Sequence, residues 1–404
     1  MTTSPEEFAR LHATCRDAGP AAMLEELAAT LAAARRWHAL FDARLLQARI
    51  ALGLPPTGPL GAVPPDVRER LDERTLAACR EAGWPLLEEG QVAAAWMYLR
   101  AAVEPAELAA RLEPLAARAA AAGPDDEEAA RRLDEIVGLA LWEGVDPALG
   151  IALVLRTQGT CNAITAFEQA VSRLPAVRQR PAAGVLVEHL HRELVQSLAA
   201  DLRSRGVADV PAESGSIPNL LALAGGLADD PSVHVDVSHL QSVLRIARVC
   251  DDKATVRRAW ELAVYGCRLP AEVVYPGEPP FAEVAPASRL FFGALAGRDV
   301  DEAVRFFRRA AATAEPEAGT LPCDTLVLLL WRLGRPAEAL HAALGRPADG
   351  RMPGTLEAAG VLPSLVEMAA AAGEWELLRR ACIDRGDAIT YAATLAAEAS
   401  ATAP

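Results

Sequence analysis

Aromatic residues and long apolar runs are scarce in this 404-residue chain. Phenylalanine, tyrosine and tryptophan together make up 5% of it, which disfavours a β-sandwich or β-barrel because strands are enriched in aromatic and β-branched residues. No uninterrupted apolar stretch approaches the roughly 18 residues that a membrane-spanning helix needs. The first ten residues are acidic and lack the basic and apolar regions of a signal peptide. The sequence therefore predicts neither membrane insertion nor export.

Sequence motifs of high catalytic specificity are also missing. The chain has no glycine-rich dinucleotide loop, no Walker loop, no nucleophile elbow and no CxxC pair. Its seven cysteines are odd in number and scattered, which is typical of reduced thiols. These features predict a cytoplasmic protein and leave its activity open.

The charge balance bears on which partners are expected. The formal net charge is −14, and nucleic-acid binding, which depends on cations that neutralise phosphates, is not predicted. A protein partner for an acidic groove would instead be basic. Lys253 is the single lysine, so nearly all cations are arginine; together with the alanine content, this indicates a GC-rich bacterial genome.

The residues that are abundant predict helices. Alanine supplies about a fifth of the chain and has the highest helix propensity. Apolar residues recur at helical spacing, for example Leu108, Leu112, Leu115 and Ala119, and clusters of proline and glycine separate helix-length segments. Helices joined by short loops pack against their neighbours in sequence. We therefore expect an all-α fold of successive antiparallel helix pairs.

A weak internal repeat supports this expectation. Gly90 is followed by Ala95, Leu99 and Ala102, and related spacings follow glycines 297, 334 and 373, which lie 37 and 39 residues apart. Small residues allow two helices to approach closely, and glycine makes the left-handed turn between them. This pattern resembles the second helix of the tetratricopeptide repeat, although the Trp-x2-Leu-Gly-x2-Tyr consensus of the first helix is not met. The resemblance implies a right-handed α-solenoid of stacked helix pairs.

Composition divides the chain into three predicted segments. Residues 1–156 and 282–404 read as helical repeats, whereas residues 157–281 form an atypical, irregular central segment. Four of the seven histidines and both asparagines lie in this central segment. Rare polar residue types are expected to persist where something requires them. Asn162, Tyr265 and Tyr275 are accordingly predicted to contact a ligand.

The first candidate constellation is a helix around residues 187–198. His189 and Glu193 are four residues apart, so they share a face and can supply two metal ligands or an ordinary surface pair. His191 lies instead on the apolar stripe with Val187 and Leu194. It is therefore expected to be a hydrogen-bonded core histidine.

The second constellation is His234, Asp236 and His239. This spacing can bring three nitrogen and oxygen ligands together, which suits a divalent transition metal such as Zn, Fe or Mn. The alternative is helix capping, because Asp236 and Ser238 are both good N-cap residues, and Ser238 with Gln241 matches a capping box.

Two main functions remain open on this evidence. One is a helical-repeat protein that binds a protein or peptide partner, or a small molecule, in a concave groove. The other is a metal-dependent enzyme or small-ligand binder that uses the histidines and carboxylates of the central segment. A structural, self-assembling protein is a third class.

Overall fold

The computed structural model describes residues 5–122, 126–208, 210, 215–223, 233–314, 319–346 and 360–402. Within these ranges the chain forms nineteen α-helices with short π- and 3₁₀-helical turns, and no strand. The all-α prediction is therefore confirmed. The chain divides into two compact units, residues 1–150 and 151–404.

Helices that are adjacent in sequence pack together in the first unit. Consecutive helices are in contact from α1 to α4, and α6 packs against both α4 and α5. The predicted apolar face of α5 is buried, because Leu108, Leu112, Leu115 and Ala119 are each at most 3% exposed. The helices are α1 (Pro5–Ala33, kinked at Gly19), α2 (Trp37–Ala51), α3 (Pro65–Glu88), α4 (Val92–Leu99), α5 (Pro105–Ala121) and α6 (Glu127–Val137).

The second unit begins around one long helix. Helix α7 (Pro147–Gln158) leads into it and is followed by α8 (Thr160–Ala166), α9 (Ala176–Ser204), α10 (Ile217–Leu223), α11 (Val237–Ile246) and α12 (Lys253–Gly266). Helix α9 packs against α8, α10, α11 and α12. It therefore contacts helices that are distant from it in sequence, unlike the helices of the first unit.

The rest of the second unit returns to sequential packing. Each helix contacts the next from α12 to α17, and α17, α18 and α19 contact one another. This arrangement is compatible with stacked helix pairs. The helices are α13 (Val284–Leu295), α14 (Val300–Ala312), α15 (Leu321–Arg332), α16 (Pro336–Leu344), α17 (Leu365–Ala372), α18 (Trp375–Arg385) and α19 (Ala388–Thr402).

The turn glycines of the predicted repeat adopt the expected conformation. Gly90, Gly297, Gly334 and Gly373 all have φ between 70° and 79°, a region in which an L side chain is strained. The small and bulky positions after Gly90 are buried, with Ala95 and Leu99 fully inaccessible and Ala102 3% exposed.

The predicted segment boundaries differ from the packing. The break between compact units falls at residue 150 rather than 156. Residues 157–281 and 282–404 belong to the same unit, since α12 and α13 pack against each other across position 281.

Candidate functional site

His189 and Glu193 are brought together, as their helical spacing predicts. Nε2 of His189 lies 3.7 Å from Oε2 of Glu193 and 3.1 Å from the hydroxyl of Thr160. Burial lowers the pKa of His189, which favours the neutral imidazole. A hydroxyl beside a neutral imidazole is half of a nucleophilic triad. The carboxylate, however, approaches the same ring nitrogen as the hydroxyl, so this geometry does not orient the base as a triad does.

His191 is hydrogen-bonded, as predicted, but its side chain is only half-buried, at 16% exposure. Its Nε2 lies 2.9 Å from Oε2 of Glu261, whose side chain is 3% exposed. The same carboxylate accepts hydrogen bonds from the backbone N–H of Ile217 at 3.0 Å and from Nε of Arg257 at 3.3 Å. Glu261 therefore joins α9, α10 and α12.

His234 makes hydrogen bonds that hold the fold together. Its side chain is 7% exposed and lies between two partners, with Nε2 3.3 Å from Oδ2 of Asp201 and Nδ1 3.2 Å from the Tyr265 hydroxyl. The backbone N–H of His234 also donates to that hydroxyl at 2.8 Å. Tyr265, predicted to contact a ligand, is 3% exposed and anchors this segment to α12.

Asp236 is the N-cap of α11, as the alternative interpretation had it. One carboxylate oxygen accepts from the backbone N–H groups of Ser238 at 2.8 Å and His239 at 3.2 Å. Hydrogen bonds from the Ser238 side chain and these N–H groups hold the pKa of Asp236 below its ordinary value. The predicted capping box of Ser238 and Gln241 is wrong, because the helix begins earlier, at Val237, and Gln241 bonds the backbone of Tyr275 instead.

The five predicted metal ligands are not assembled into one site. Among the residues that the structure describes, no group of three or more His, Cys, Asp and Glu side chains is arranged to hold a metal ion. His189 pairs with Thr160, and His234 pairs with Asp201 and Tyr265. Asp236 caps its own helix. Glu193 pairs with His189, and His239 donates its backbone N–H to Asp236.

The two other predicted ligand contacts lie on the surface. The amide of Asn162 donates to the carbonyl oxygen of Gln158 one turn earlier, at 2.9 Å. The side chain of Tyr275 is 63% exposed, while its backbone pairs with Gln241 of α11. These contacts fix a helix start and a loop, and they form no shared site with Tyr265.

A charged groove lies between α9, α10 and α12 in the second unit. Its volume is about 860 Å³, within the range of ligand-binding clefts. Four arginines line it, against two carboxylates. The lining residues are Glu188, His191, Arg192, Val195, Gln196, Ala199 and Arg203 from α9, Gly215, Ser216 and Asn219 from the α10 region, and Ala254, Arg257, Arg258 and Glu261 from α12.

The carboxylates of the groove are already engaged. Glu261 is bound by His191, Ile217 and Arg257, and Glu188 lies 4.0 Å from Arg258. Arg192 is exposed and forms no ion pair within the described residues. By count, the described lining of the groove carries four guanidinium groups and two carboxylates. Guanidinium groups bind carboxylate and phosphate groups through paired hydrogen bonds.

These four arginines are not distinguished by any motif in the sequence. All but one of the chain's 40 basic residues are arginine, so no single one stands out. The signal that was available is their spacing: Glu188, Arg192, Gln196 and Ala199 recur at helical intervals on one face of α9. Only contacts with α12 reveal that this face borders a groove.

Comparisons with known proteins identify no relative for this chain. No family model matches it, and neither does any curated protein or solved structure. Within the described residues, no helix has the length and apolarity needed to cross a membrane.

Proposed function

We propose that this protein is a helical binding protein whose second unit takes an anionic ligand, through carboxylate or phosphate groups, in the groove between α9 and α12. The observation that carries the proposal is the convergence of four arginines on one groove in a chain of net charge −14. The lining of the groove carries more positive than negative side chains, although the protein as a whole is negatively charged. A ligand with negative groups would explain this local positive charge, because interacting surfaces carry complementary charges.

The architecture supports a binding role. Sequential helix packing and left-handed turn glycines fit a TPR-like α-solenoid, a fold that presents extended binding surfaces. Seven free cysteines fit a cytoplasmic location. The proposed ligand is acidic, whereas the net charge of the chain led us to expect a basic partner. The charge of the groove itself matters more for a ligand in contact with it, because salt screens the charges that lie farther away.

Calorimetric titration with inorganic phosphate and with hexaglutamate tests the proposal. Binding is expected to weaken with added salt, and Arg192→Gln is expected to reduce affinity by about 10- to 150-fold, the value of a charged hydrogen bond. Arg305→Gln, on the exposed face of α14, removes the same charge elsewhere and serves as the matched control. Equal affinities for the two variants, or no binding of either probe, would overturn the proposal.

A further inference from the structure

The ring of His191, which lines the groove, is oriented by a buried carboxylate. Nε2 of His191 lies 2.9 Å from Oε2 of Glu261, whose side chain is 3% exposed. The same oxygen accepts the backbone N–H of Ile217, and the other carboxylate oxygen accepts from Nε of Arg257. Donors from three helices therefore fix the carboxylate, and the carboxylate fixes the imidazole.

The second ring nitrogen of His191 is left unpaired. Within the ranges that the structure describes, no group forms a hydrogen bond with Nδ1. In a neutral imidazole one nitrogen carries the proton and the other a lone pair, and the nitrogen bonded to a carboxylate is the one that carries the proton. Glu261 therefore selects the tautomer with a lone pair on Nδ1, in a side chain that borders the groove.

This arrangement differs from the one at His189. There a hydroxyl and a carboxylate both approach Nε2, whereas at His191 the carboxylate takes one nitrogen and leaves the opposite one free. That is how a carboxylate orients the general base of a catalytic triad. Burial raises the pKa of Glu261, but hydrogen bonds from His191 and Ile217 outweigh burial and keep the pKa below its ordinary value. Glu261 is therefore ionised at neutral pH.

The free positive charge of the groove lies next to this histidine in sequence. Arg203, Arg257 and Arg258 already interact with other groups. Arg192 is exposed and has no ion pair within the described residues. A phosphate diester carries one negative charge at neutral pH, whereas a monoester carries about two. One unpaired guanidinium therefore matches the charge of a diester.

The groove also limits the size and type of substrate. Its volume of about 860 Å³ is that of a small-molecule cleft. No aromatic side chain is among its described lining residues, so they provide no platform on which nucleic-acid bases stack. These features favour a small molecule over a nucleic acid.

We infer that the groove hydrolyses small-molecule phosphate diesters, with His191 as the general base. The inference rests on the proposed function, because the groove must first bind an anion. Nδ1 takes a proton from water while the water oxygen forms a bond to phosphorus and the bond to the leaving oxygen breaks. The proton then passes from Nδ1 to the leaving oxygen, so one diester and one water give one monoester and one alcohol. Arg192 stabilises the negative charge on the non-bridging oxygens.

Hydrolysis of bis(p-nitrophenyl) phosphate, followed by the release of nitrophenolate, tests this inference. The wild type is expected to hydrolyse the diester. His191→Gln retains an amide that can donate to Glu261 and is expected to lower kcat/KM by about 100-fold or more, the contribution of a general base. His189→Gln is the matched control, because it makes the same substitution on the same helix at a ring outside the groove lining, and it is expected to leave kcat/KM unchanged.

Acylation of the wild type with diethyl pyrocarbonate tests the free nitrogen without any substitution. This reagent acylates an imidazole nitrogen that bears an accessible lone pair. Peptide mass spectrometry is expected to show labelling of His191, slowed by inorganic phosphate and accompanied by loss of hydrolysis. His234 is 7% exposed and both of its ring nitrogens have partners, so it should stay unlabelled until the protein is unfolded. An unlabelled His191 in the folded protein would overturn the inference.

The outcomes separate this inference from the proposed function. If phosphate binds but the diester is not hydrolysed, or if His191→Gln hydrolyses it at the wild-type rate, the inference fails and anion binding stands. If no anion binds and no diester is hydrolysed, both fail. If oligouridylate is cleaved with a higher kcat/KM than bis(p-nitrophenyl) phosphate, the substrate is a nucleic acid and the inference is wrong.

Discussion

Nε2 of His191 lies 2.9 Å from the buried carboxylate of Glu261, and this contact joins α9 to α12 across seventy residues of sequence. The same carboxylate holds the N–H of Ile217 at the start of α10. Three helices that border the groove therefore meet at one side chain. The geometry of the proposed ligand site depends on it.

Replacing Glu261 is expected to destabilise the second unit strongly. Glu261→Ala leaves the imidazole of His191 and the Ile217 N–H without their acceptor, and loss of one member of a buried pair costs about 3–5 kcal/mol. Glu261→Gln keeps an acceptor and is expected to cost about 1–2 kcal/mol. Urea denaturation measures both. Glu188→Gln, at a side chain 54% exposed, is the control and should change stability by under about 0.5 kcal/mol; a comparable loss there would contradict the argument.

The contribution of Glu261 is expected to disappear in acid. Burial raises the pKa of Glu261, but hydrogen bonds from His191, Ile217 and Arg257 outweigh burial and hold the pKa below its ordinary value. The unfolded chain therefore takes up this proton at a higher pH than the folded chain. The stabilisation is fully present above the unfolded pKa of about 4.3 and is lost as pH falls through the lower folded value.

Unfolding free energies of the wild type and Glu261→Gln at pH 7 and pH 3.5 check this sign. The difference between the two proteins should be smaller at pH 3.5, since only the wild type loses a charged group. A difference that is constant or larger in acid would show that the carboxylate is not held ionised by these contacts.

Substitutions of Asp236 distinguish between its role as a helix cap and a role as a metal ligand. Asp236→Ala removes the acceptor for the N–H groups of Ser238 and His239 and is expected to cost about 1 kcal/mol, whereas Asp236→Asn keeps capping ability and should cost only a few tenths. Thermal denaturation gives the stability, and elemental analysis of the same samples gives the metal content. Stoichiometric zinc, iron or manganese that is lost in both variants would restore the metal hypothesis.

The local features of the fold were predictable because they depend on neighbouring residues. The face of α5, the left-handed glycine at position 90 and the burial of Ala95 and Leu99 all follow from periodicity and backbone sterics. The hydrogen-bonded state of His191 was also predictable, since it shares a stripe with Val187 and Leu194, both fully buried.

The groove itself was not predictable from these signals. It depends on α9 meeting α12 and α10, and nothing in the helical period of α9 specifies which distant helix covers it. The predicted metal ligands do not come together for a related reason. Asp201, the partner of His234, lies 33 residues away in the sequence. The short spacing between His234 and His239 suggested instead that these two histidines share a metal.

Two glycines lie near the π-helical turn Gly138–Trp142 of the first unit. Replacing each of them with alanine should change the free energy of unfolding in opposite directions. A Cβ atom at Gly150 would lie 2.7 Å from the Cβ and 3.1 Å from the backbone nitrogen of Leu141, so Gly150→Ala is expected to cost about 1–3 kcal/mol. At Gly138 a Cβ meets nothing within 4 Å and φ is −52°, so Gly138→Ala should stabilise by up to about 1 kcal/mol. Urea denaturation measures both signs. Equal effects at the two sites would contradict the close approach of Gly150 to Leu141.

The cysteines should differ sharply in reactivity, because alkylation requires an accessible thiolate. Cys250 is 1% exposed, and burial raises its pKa to about 12, so about one thiol in 10⁴ is ionised at pH 8. Cys161 is exposed on α8. Brief treatment with iodoacetamide at pH 8, followed by peptide mass spectrometry, should label Cys161 and leave Cys250 unmodified until urea is added. Cys161→Ser serves as the control for assigning the labelled peptide. Labelling of Cys250 in the folded protein would mean that α9 and the turn after α11 separate readily, because Sγ of Cys250 packs 3.9 Å from the carbonyl oxygen of Arg180.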